Sequence, residues 1–110
     1  MKQPSPHLSW KELGCRDGTP YPPEWEDRAR FLAEVFEDFR EDLGGDPIVI
    51  GSAYRTLEWN RKCGGSANSQ HLQGRALDCY PPAVMFLGEF REQAKEFALA
   101  DDRVGGFGSY

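Results

Sequence analysis

Residues 24–43 carry one continuous apolar stripe, and no other segment restricts the fold as strongly. Trp25, Ala29, Leu32, Val35, Phe36, Phe39 and Leu43 recur at steps of three and four, with Phe31 at the margin. That is the period of an amphipathic α-helix, which must bury its stripe against a second layer. Pro22 and Pro23 suit its start. Gly44-Gly45 stops it and Asp46-Pro47 confirms the break. The opposite face holds Glu24, Glu26, Asp27, Glu34, Glu37, Asp38, Glu41 and Asp42 against Arg28, Arg30 and Arg40. It reads as a solvated face, with an acidic partner-binding surface as the alternative.

The second layer is found downstream. Ile48-Val49-Ile50 is a short β-branched run and predicts a strand. Residues 75–80 predict a second strand, with Ala76, Asp78 and Tyr80 on one face, ended by Pro81-Pro82. Residues 84–99 predict another helix, with Phe86, Phe90, Ala94 and Phe97 in line. Both aromatic stripes read as core. Residues 56–70 lack periodicity and hold Gly64, Gly65, Ser66, Asn68 and Ser69, so they read as a long loop of the kind that carries function. Residues 1–8 read as a loose arm, and Ser9-Trp10-Lys11-Glu12 has capping-box spacing for one helical turn. Residues 18–23 form a rigid loop, and the glycine-rich residues 104–110 start a third strand. The expected fold class is α+β, two main helices on a short, mainly antiparallel sheet. A chain of 110 residues suffices for one domain with one site.

Composition narrows the function. A net charge of −5 argues against nucleic acid, whose binders concentrate positive charge. The longest uncharged apolar stretch, residues 80–88, is far short of a membrane span. The opening MKQPSPHLSW has no apolar core, so no secretory signal is expected. The three cysteines, Cys15, Cys63 and Cys79, form no C-x-x-C pair. Free thiols are expected, with one disulfide plus one free thiol as the alternative. No G-x-S-x-G, G-K-[ST] or H-E-x-x-H motif occurs, and Gly106-x-Gly108 lacks the third glycine of a dinucleotide loop.

Chemistry concentrates in residues 69–78, SQHLQGRALD. His71 and Asp78 stand seven residues apart, joined through Gly74, which permits a turn that lets them converge. By residue type alone they are either an ordinary hydrogen-bonded pair or two ligands of a zinc ion.

The same ten residues carry the pattern S-x-H-x-x-G-x-A-x-D, which resembles the signature of the zinc D-alanyl-D-alanine peptidases, a group related in fold to the hedgehog signalling domain. Upstream, GSAYRTLEWNRKCGGSANSQH is similar to that family's strand, "S-x-Y-R", short turn with Asn60, and "G-G-x-x-x-S-x-H". HLSWKEL and RVGGFGSY resemble the ends of small bacterial and phage members. The resemblance implies that His71 and Asp78 are the first two zinc ligands. It implies that Arg55 binds substrate and stabilises charge on the scissile carbonyl oxygen, a salt bridge to the acidic helix being the alternative. Ser69 matches a serine lining the substrate pocket, and Gln70 beside it is assigned to substrate binding.

A catalytic zinc takes three protein ligands. The family's third is a histidine in a late "H-x-D" segment, with an acidic general base just before it. No histidine follows His71 here, so that segment is expected beyond Tyr110, and residues 1–110 are expected to lack the domain's last strand. A substitute ligand is the second option. His7 serves only if the arm folds back, Cys79 points away from Asp78 along a strand, and Cys63 and Cys15 are remote. The expected function is a zinc peptidase acting on peptidoglycan stem peptides, as a D-Ala-D-Ala carboxypeptidase or an endolysin-like endopeptidase. Such a protein is made in the bacterial cytoplasm and acts at the cell wall once released. The rival is a non-catalytic peptide- or wall-binding module of the same fold. Oligomeric state is not legible.

Overall fold

The computed structural model describes residues 2–106. Among them are four α-helices and one two-stranded sheet: α1 Trp10–Leu13, α2 Glu26–Asp42, β1 Val49–Ser52, α3 Leu57–Lys62, β2 Asp78–Tyr80 and α4 Leu87–Ala100. The fold is α+β, as the apolar periods require.

The long stripe becomes α2. The two prolines open it with a 3-10 turn, Pro23–Trp25, so the α-helix itself begins at Glu26. Ala29, Ala33, Phe36 and Phe39 are buried along it, while Phe31 is exposed. Helix α4 crosses this face, and Phe39 meets Phe90 and Phe97 with ring centroids 5.8 and 5.2 Å apart. Ile48 and Ile50 point into the same core and Val49 points out, the alternation of a one-sided strand.

Several expectations need correction. Residues 2–8, the described part of the expected loose arm, are held in place. Leu8 is fully buried, Ser5 and Leu8 form a β-bridge, and the His7 N–H and Nδ1 meet the two carboxylate oxygens of Glu37 on α2 at 2.8 and 2.7 Å. Residues 56–70 are not one loop, because Thr56 Oγ1 accepts the Trp59 N–H at 3.2 Å and starts α3. The signals were local: a capping threonine, Glu58 in the first turn, Arg61 and Lys62 in the last. Finally, α4 starts three residues late. The Met85 N–H closes a turn on the Pro82 carbonyl, which leaves Phe86 85% exposed instead of in the stripe. The predicted third strand has no regular structure at 104–106, and its remainder lies outside the described residues. The predicted second strand is paired only over Asp78–Tyr80.

The two strands are antiparallel, with Val49 opposite Tyr80 and Ile50 opposite Cys79. The register then slips, so that Ser52 faces Asp78 and Gly51 is the extra residue. Such a bulge bends the strand and re-aims the side chains beyond it. Arg16 fastens the bulge by donating from Nε to the Gly51 carbonyl at 2.8 Å and from Nη2 to the Ile50 carbonyl at 2.6 Å.

Candidate metal and catalytic site

The site forms where the chain leaves β1 and where it enters β2. Residues 53–55 run beside His71, and two hydrogen bonds fasten them. The Arg55 N–H donates to the His71 carbonyl at 3.0 Å, and His71 Nδ1 lies 2.6 Å from the Ala53 carbonyl. His71 sits in a 3-10 turn, Gln70–Gln73, which Ser69 caps by accepting the His71 N–H on Oγ at 3.2 Å. Gly74 ends the turn in the left-handed region at φ 67°. Tyr21 Oη donates to the Gly74 carbonyl at 2.9 Å and leaves no room for a side chain there: a Cβ would lie 2.6 Å from that oxygen.

His71 is buried, at 8% exposure. A carbonyl can only accept, so Nδ1 carries the ring proton. In the neutral ring Nε2 is then a lone pair, and it faces Asp78 Oδ1 at 3.2 Å. Two acceptors at that distance need a cation between them, either a second proton or a metal ion. A charge-assisted N–H···O bond is usually about 2.7–2.9 Å. Two ligands of a tetrahedral zinc, each bonded at about 2.0–2.2 Å, stand roughly 3.3 Å apart. The separation suits either a hydrogen-bonded pair or that edge, and the Nδ1–H to backbone carbonyl bond is the outer support that metal-binding histidines ordinarily have. When a proton fills the gap, the His71 contact holds the Asp78 carboxyl below its ordinary value, with burial opposing and Arg55 adding to the effect.

Arg55 is largely buried and held from three sides. Its Nε donates to Ser52 Oγ at 3.1 Å, Nη1 to Asn60 Oδ1 at 3.3 Å, and Nη2 to Asp78 Oδ2 at 3.2 Å. Its carboxylate partner is therefore Asp78 and not the acidic face of α2. A fixed guanidinium beside an imidazole–carboxylate pair can bind an anionic group or stabilise a developing oxyanion without reorganising.

The structure thus brings Arg55, His71 and Asp78 together. Ser69 adjoins them as the cap under His71, and Gln70 is exposed on the same turn. Sequence reasoning quoted Ser52 and Asn60, the latter only 1% exposed, as part of the resemblance but gave neither a role at the site. Their roles were not legible, because the helix that delivers Asn60 was read as loop. His7 folds back, but onto Glu37. Cys15, Cys63 and Cys79 are free thiols. Among the described residues no group of three His, Cys, Asp or Glu side chains is placed to hold a metal ion. The expected third ligand falls outside them.

A supported imidazole, a carboxylate and an anchored guanidinium brought together on an α+β fold can serve hydrolytic chemistry. Comparison with protein families makes the class specific. The family model described as Peptidase M15 matches residues 6–109, and the chain belongs to that family. No curated protein and no solved structure matches it.

Proposed function

We propose that this chain is the body of a zinc-dependent peptidase that cuts peptidoglycan stem peptides beside a D-amino acid. The observation that carries this reading is the His71–Asp78 pair. Nδ1 is committed to Ala53, and Nε2 faces the carboxylate at the edge length of a tetrahedral zinc site. Membership of the peptidase family supports the reaction class. His71 Nε2 and Asp78 would hold the metal. The chemistry a bound zinc supplies is Lewis acidity and activation of water near neutral pH.

The chain's own residues do the rest. Arg55 presents N–H donors beside the pair, where a scissile carbonyl or a C-terminal carboxylate of the substrate would dock. Ser69 fixes the turn that aims His71, and Gln70 offers an exposed amide to the peptide on the same turn. The ring of His71 is held at Nδ1 by the Ala53 carbonyl, and its backbone carbonyl accepts the Arg55 and Gly74 N–H groups, so Nε2 is aimed by the chain itself.

The test is zinc binding and turnover. Zinc should raise the melting temperature of the wild type, by about 2.7 kcal/mol of stabilisation at a hundredfold excess over Kd, and should do nothing for His71→Ala. Arg55→Ala should keep zinc and lose turnover of a stem peptide ending in D-Ala-D-Ala by roughly 100-fold or more. No zinc-dependent shift in the wild type would sink the metal reading. Zinc and peptide binding without turnover would favour the non-catalytic module.

A further inference from the structure

We propose that Asn60 is the positioning residue of Arg55, an inference that rests on the peptidase reading above. Asn60 lies in the short helix α3 with its side chain sealed from solvent. Its amide has one orientation that satisfies both neighbours. Oδ1 accepts from Arg55 Nη1 at 3.3 Å, and Nδ2 donates to the Ser66 carbonyl at 2.9 Å. Guanidinium only donates and carbonyl only accepts, so each bond enforces the other. The Gly65 N–H returns to the Asn60 carbonyl at 2.9 Å, and a side chain at position 65 would collide with the Asn60 amide.

This arrangement does two things at once. It supplies the anchor of Arg55 that comes from neither strand, since Ser52 and Asp78 stand on β1 and β2. Three anchors in different directions fix the plane of a guanidinium; two leave it free to pivot. It also ties Arg55 to the segment 65–69 that delivers Ser69 and His71. The helix that places Asn60 is in turn capped by Thr56, next to Arg55 in the chain, so the clamp is short and stiff. Because Asn60 is buried, water has no route to replace its carbonyl.

The experiment reads Arg55 directly, by side-chain nitrogen NMR of the full chain with and without zinc. In the wild type the Arg55 Nη protons should be separate and slow to exchange. Asn60→Ala should collapse them and lower kcat on a D-Ala-D-Ala-terminated stem pentapeptide by roughly tenfold or more, with zinc affinity far less affected. Asn60→Asp keeps the acceptor and loses the Ser66 bond. It should melt lower, as Asn60→Ala does, yet retain the Arg55 signals and most of kcat. A purely structural role predicts the reverse: lower melting in both variants and wild-type Arg55 signals in both. That result, or an Asn60→Asp no better than Asn60→Ala, overturns the proposal. If Asn60→Ala does not fold, Gly65→Ala displaces the amide with Asn60 still present and should disorder Arg55; ordered Arg55 there also overturns it. A wild type that holds Arg55 rigid and binds zinc through a full ligand set yet hydrolyses nothing rejects the peptidase reading, while the NMR arm still decides whether Asn60 holds Arg55.

Discussion

Replacing Gly74 by alanine tests how Tyr21 shapes the turn that carries His71. The perturbation has three parts. Alanine at φ 67° takes a left-handed conformation that costs about 1–2 kcal/mol. Its methyl would sit 2.6 to 2.8 Å from three atoms of the Tyr21 ring and hydroxyl. Tyr21 cannot yield cheaply, because it is buried and packed edge-on against Trp25 and Tyr54 at 6.3 and 6.0 Å. Overpacking of this kind costs about 1–3 kcal/mol. Any retreat of the ring breaks its bond to the Gly74 carbonyl, about 1 kcal/mol more. A loss of about 3–6 kcal/mol follows, or roughly 12–24 °C in Tm for a domain of this size. Gly64→Ala is the control. Its φ is also positive, at 72°, but nothing lies within 4 Å of the added methyl. It should lose only the conformational part, about 1–2 kcal/mol. Thermal melts by circular dichroism on both variants decide the matter. Equal shifts would refute the role given to Tyr21, because the two positions differ in their surroundings and share their backbone strain.

Two other outcomes are expected. Burial raises the Glu37 carboxyl, but the nearby Ser5 hydroxyl and the hydrogen bonds from His7 outweigh it and leave the group below its ordinary 4.5. A depressed folded value means its contribution is whole above pH 4.5 and is lost as pH falls through that lower value. Urea midpoints across that range should fall less steeply with acid in Glu37→Gln; an unchanged slope would show that the amino-terminal clasp contributes nothing. For the cysteines, Cys63 is exposed, Cys15 is buried, and burial with Asp78 pushes the Cys79 thiol up to about 12. The folded protein should therefore show one fast-reacting thiol with a disulfide reagent at neutral pH and three after unfolding. Fast loss of two would contradict the packing around β2.

The helices were legible because their causes are local. The stripe of α2 and the Ser9–Glu12 capping box of α1 rest on contacts between residues three or four apart. The start of α4 was misplaced because a proline turn outcompeted the apolar period at Phe86. Helix α3 was passed over because six residues are too few to show a period, although Thr56 marked its cap. The amino-terminal arm was misread because its order comes from Glu37, thirty residues away, and no local pattern announces such a partner.

The site divides in the same way. Sequence by itself placed His71 and Asp78 in one motif, whose fixed residues include the glycine that Tyr21 demands at position 74, and only a resemblance joined Arg55 to them. Only the tertiary structure decided how they meet. The Ala53 carbonyl settles which nitrogen of His71 bears the proton, and the bulge at Gly51 sets Asp78 opposite Ser52. Asn60 and Asp78 together decide that Arg55 faces the site and not the acidic helix. The reason is range. Turns and caps are fixed by neighbours a few bonds away, whereas the aim of an imidazole or a guanidinium is fixed by acceptors that only strand pairing and a buried helix bring within reach.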